Sequence, residues 1–187
     1  MKHTSQEPLL GNGITFLIIL VFAYASVLFE KQWAVVNINL IGGAALLCYV
    51  LFGLRMIPGV LIAITVSILI FKQQTNILVV ESAMSIFTCT FAPSLSLFIM
   101  SSFKKIHIST ITSLTFKQIL FLSAIQALFC SIFKLFTGVV LIEKVAVPDI
   151  ADYFYTLFTL DLIGTLVIVY CVIKIITYFK RANSFLV

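Results

Sequence analysis

The 187-residue chain is 61% hydrophobic and 10% charged, against about 25% charged residues in soluble domains, and so much apolar surface excludes a soluble globular fold. The net charge of +5 comes from basic residues at the ends of apolar runs, with no basic cluster interleaved with aromatics, which excludes a nucleic-acid partner. The fold class that remains is an all-α, polytopic transmembrane helical bundle of about six spans, a single integral membrane domain over residues 1–187 with the lipid bilayer as its first partner.

The first run is Ile14 to Phe29. Ala23-Tyr24-Ala25 has the small-x-small form of a cleavage site, but the run continues to Phe29 and Glu7 offsets Lys2 in the tail, so a retained anchor is expected. Ala34 to Leu54 follows, with Asn37 and Asn39 near its start. The third run, Ile57 to Phe71, covers only about 22 Å of a core about 30 Å thick. It must borrow Gly53 to Met56, let Arg55 and Lys72 snorkel, or fold as a re-entrant hairpin. Pro58 suits the first turn of that helix.

Ile77 to Met100 carries Glu81 near its start and Pro93 inside it, where proline frees a carbonyl. Ser101 to Phe116 reads as a serine- and threonine-rich connector. The last two runs, Gln118 to Ile142 and Tyr153 to Ile176, are interrupted by Lys134 and Asp161. Lys174 sits near the end of the final run beside Tyr170 and Tyr178, where it should snorkel.

In alternate loops Lys2, Arg55, Lys104, Lys105, Lys117, Lys180 and Arg181 fall on one side, and Lys31, Lys72 and Lys144 on the other. The positive-inside rule then places both termini in the cytoplasm. Counted from the outer ends of their runs, Lys134 and Asp161 both lie about 12 Å deep, with Glu81, Asn37 and Asn39 at shallower levels. An ionised group in hydrocarbon costs roughly 2.5 to 3.5 kcal/mol on insertion scales. Opposite charges at one depth are each other's expected partners.

Helical spacing collects small and polar residues into seams: Ser123, Ala127, Ser131, Lys134 and Gly138; Glu81, Ser85, Thr88, Ala92 and Ser96; Gly59, Ala63 and Ser67; Asp161, Gly164 and Thr165. These faces should point into the bundle. Asn37, Asn39, Glu81, Lys134 and Asp161 line an outward-open pocket for a small polar or zwitterionic ligand, form a buried network in which the charge pair only fixes helix register, or serve as a proton relay.

Cys48, Cys89, Cys130 and Cys171 fall in four different runs without paired spacing, and His3 and His107 lie outside the runs. No metal site and no cofactor is expected. No nucleophile, phosphate-loop or histidine-base pattern appears either, so the chain does not read as an enzyme.

Phe52-Gly53-Leu54-Arg55-Met56-Ile57-Pro58-Gly59-Val60, followed by Ala63 and Ser67, resembles the second-to-third-helix turn of bacterial membrane-associated sensor (MASE) domains of the first type. Phe158 to Gly164, with Asp161-Leu162-Ile163-Gly164, resembles the aspartate-leucine-x-glycine segment of that family's late helix, and Trp33 to Ala45 loosely resembles its second helix. The resemblance implies a multi-span sensory module of the bacterial inner membrane, usually fused to a histidine kinase or diguanylate cyclase, and gives weight to Arg55, Pro58, Gly59, Asp161 and Gly164. No soluble output segment is expected beyond the last run. The expectation is therefore a sensor-like protein that recognises a solute or partner from the periplasmic side and acts through a separate kinase, cyclase or other output protein. The alternatives are a substrate-binding subunit of an energy-coupling-factor-type vitamin transporter and an envelope scaffold protein.

Overall fold

The computed structural model describes residues 7–33, 40–71, 79–104, 115–141 and 150–184. Within them lie six α-helices: α1 (Glu7–Trp33), α2 (Leu40–Phe52), α3 (Ile57–Phe71), α4 (Val79–Lys104), α5 (Phe116–Phe136) and α6 (Ile150–Ser184). No strand occurs among the described residues. Helices are the form an isolated apolar run must take in lipid, since each backbone group finds its partner within the run. Five stretches, all but α2, are long and apolar enough to cross a membrane.

The order of packing follows from which runs are apolar on every side. α2 is buried at nine consecutive positions, Gly42 to Val50, so no face of it is left for lipid. It forms the axis of the bundle, with α1, α4 and α6 around it. α5 packs between α4 and α6, and α3 lies mainly on α1. The core joins Leu46, Tyr49 and Val50 of α2 to Ile19, Ile64, Leu97, Leu122 and Val169 from the surrounding helices.

Third-span length has a local solution. Gly53 adopts φ 81°, a left-handed conformation that a side chain disfavours, and a 3-10 turn at Leu54–Met56 leads straight into α3. The two together give an apolar helical stretch over Leu54–Phe71, long enough by length and composition to cross a membrane. Among the described residues the short helix is α2, at 13 residues; the first part of its sequence run, residues 34–39, lies outside the described residues.

Glycines set the closest approaches. A Cβ on Gly43 would stand 3.0 Å from the Thr165 Cα and 3.4 Å from the Gly164 carbonyl oxygen, so α2 and α6 touch backbone to backbone. A Cβ on Gly59 would stand 2.6 Å from Asn12 Oδ1, the same oxygen that accepts the Gly59 N–H at 2.9 Å. Asn12 thereby satisfies one of the N–H groups left over at the start of α3.

Candidate functional site

α5 and α6 run antiparallel, and their charged residues meet. Lys134 Nζ donates to both carboxylate oxygens of Asp161, at 2.6 Å and 2.9 Å. The Asp161 side chain is only 2% exposed and that of Lys134 is 28% exposed. The carboxylate is therefore held inside the bundle, and the Lys134 side chain is the more exposed member of the pair. Three residues beyond Lys134 the helix widens into a π turn, Thr137–Leu141, a distortion common beside functional groups.

Each charge is positioned by its own neighbours. Asp161 is followed one turn later by Gly164 and Thr165, which carry α6 against Gly43 of α2 and fix the rotation of α6. Cys130, one turn before Lys134, is fully buried, and its thiol is within reach of the Gln126 side chain. Phe133 packs edge-on against Phe87 of α4, their centroids 5.4 Å apart. That contact ties the Lys134 turn to the third helix of this group.

α4 supplies the remaining wall. Thr88, Ala92 and Ser96 of its seam are buried. Pro93 has no N–H to return along the helix, and nearby hydroxyls engage the adjacent carbonyls instead: Ser94 Oγ donates to the Thr90 carbonyl at 2.8 Å and Ser96 Oγ to that of Pro93 at 2.7 Å. The Thr90 carbonyl also accepts the buried Tyr49 hydroxyl at 3.4 Å, a long bond that spans α2 and α4.

The candidate residues divide into three groups. Lys134 and Asp161 are brought together. Asn37 and Asn39 lie outside the described residues, as does the side chain of Glu81, whose backbone is in the first turn of α4. Arg55 and Pro58 are exposed and Gly59 is buried against α1. Lys174 is exposed, with its Nζ 5.5 Å from the centre of the Tyr170 ring.

One residue of this region is absent from the seams read off the sequence. Gln126 is fully buried on α5, three residues after Ser123 and four before Cys130. Its signal was available, since an amide inside an apolar run, in register with a polar stripe, belongs to that stripe. No group of His, Cys, Asp or Glu that could hold a metal ion occurs among the described residues. No family model matches the chain, and no curated protein or solved structure does so.

Proposed function

We propose that this membrane protein recognises a small zwitterionic solute at Lys134 and Asp161, from the outer side of a bacterial inner membrane, and acts through a separate output protein in the manner of a sensor. The observation that carries the reading is the asymmetry of the pair: a sealed carboxylate beside a partly exposed lysine side chain, joined across the α5–α6 contact. A carboxylate on the solute takes the Lys134 ammonium, and its ammonium takes Asp161. Exchanging one set of charge-assisted hydrogen bonds for another is close to balanced in energy, while it changes what holds α5 to α6. Such an exchange converts occupancy into helix movement, which a partner helix can read.

Thermal unfolding of the purified protein in detergent tests this directly. Glycine, which carries both charges, is expected to raise Tm, whereas acetate and ethylammonium at equal ionic strength are not. The Lys134→Met/Asp161→Asn double variant should lose the response. Equal behaviour of all three compounds on the wild-type protein would reject solute recognition and leave the pair as a fastener of helix register, the role it has in the scaffold reading.

A further inference from the structure

Gln126 has no part in the ion pair, yet its carboxamide is completely enclosed. Neither Nε2 nor Oε1 makes a hydrogen bond to nitrogen or oxygen among the described residues. The Cys130 thiol is within weak hydrogen-bonding reach, but a thiol is a weak donor and a weak acceptor and leaves most of the carboxamide's capacity unmet. One turn away on the same face, Ser123 Oγ is equally enclosed and equally unpartnered.

Ser123 is unusual among the buried serines of this bundle. Ser67, Ser96 and Ser131 each turn the hydroxyl back onto a carbonyl of their own helix, at 2.7 to 2.8 Å, which is the ordinary recourse of a serine in apolar surroundings. Ser123 does not make that bond. Residues three apart share a helix face, so the Ser123 hydroxyl and the Gln126 carboxamide, both short of partners, lie on one face of α5. In a bundle surrounded by lipid, that many unmet groups call for an occupant.

The chemistry of the occupant follows from what lines the space. The carboxamide offers two N–H donors and an acceptor, and the hydroxyl offers one of each. No charged side chain is added at this level of α5, whose next charge is Lys134, two turns on. A matching molecule is neutral and both gives and accepts hydrogen bonds.

We infer that the space beside Gln126, Ser123 and Cys130 is a second subsite, which binds a neutral molecule of hydroxyl or amide chemistry and extends the Lys134–Asp161 site toward the middle of the bundle. This rests on the proposed solute site only for its route of entry. Two sources present the same chemistry: water, or the uncharged end of a solute whose charged end is held at the ion pair.

The test is NMR of protein labelled with 15N-glutamine in detergent micelles. The Gln126 side-chain resonance is assigned by its loss in Gln126→Met, or in Gln126→Asn if the first variant does not accumulate. Cross-peaks from this carboxamide to water that persist in added L-glutamine identify water as the occupant. Cross-peaks displaced by L-glutamine and not by glycine identify the neutral end of a solute. A carboxamide reached by neither water nor L-glutamine overturns the inference. So does a rise in Tm of several degrees in Gln126→Met, because removing a polar group that nothing meets is stabilising, whereas removing one that a guest satisfies is not. Water at Gln126 with no effect of glycine on wild-type Tm would refute the solute reading and retain this subsite; a glycine response with a dry Gln126 would do the reverse.

Discussion

Lys134 and Asp161 hold opposite charges inside apolar helices, and their interdependence is what a double-mutant cycle measures. Asp161 is the more enclosed of the two, so Lys134→Met strands a buried carboxylate and is expected to cost about 3 to 5 kcal/mol. Asp161→Asn should cost less, because it leaves the less enclosed member of the pair unmatched. The double change is expected to recover part of the loss, read as unfolding free energy in mixed micelles. Additive single effects would show that the pair contributes nothing as a pair. Both residues were legible in the sequence, because a charge in an apolar run is visible and depth can be counted from the run's end. Gln126 was harder to see: an uncharged amide barely lowers the hydropathy of a run, and only its register with Ser123 and Cys130 singles it out.

At the scale of helices, the glycines discriminate sharply between positions. Gly43→Ala places a methyl 3.0 Å from the Thr165 Cα, where only separation of α2 from α6 gives relief, and is expected to destabilise by about 1 to 3 kcal/mol. Gly59→Ala meets Asn12 and should behave in the same way on the α1–α3 contact. Gly13→Ala is the control: a Cβ there meets nothing within 4 Å, and alanine in an exposed helix interior is expected to add about 0.5 to 1 kcal/mol. Thermal unfolding of the three variants checks the order. Thr115 caps α5 by accepting from the Gln118 N–H, while Gln118 Oε1 accepts from the Thr115 N–H; Thr115→Ala should cost about 1 kcal/mol. Small-residue spacing along α3, α4, α5 and α6 foretold which faces are buried. It could not foretell that α2 is buried all round, since an apolar run looks the same whether lipid or protein surrounds it.

Over the whole molecule, α5 begins and α6 ends at one end of the bundle, where Phe116 meets Tyr170 edge-on at 5.6 Å. Thr115 and Ser184 therefore emerge on one side. Positive-inside bias predicts that this side is cytoplasmic. Thr115→Cys and Ser184→Cys, each in a background with Cys171→Ser, should both resist a membrane-impermeant maleimide in intact cells and react after lysis. Reaction of one and not the other in intact cells would contradict the antiparallel arrangement of α5 and α6. Reaction of both would reverse the orientation and place Lys134 and Asp161 nearer the cytoplasm.

The enclosed axial helix dictates an order of assembly. Leu40–Phe52 leaves the ribosome well before α4 and α6, the helices that later surround it, so in the nascent protein Gly43 faces lipid or translocation machinery until Gly164 and Thr165 arrive. A chain halted before residue 150 leaves the Gly43 face of α2 uncovered, and its half-life should be shorter than that of the completed protein. The last helix thus acts as the closing stave, and supplying residues 150–187 as a separate polypeptide should lengthen the survival of the halted chain.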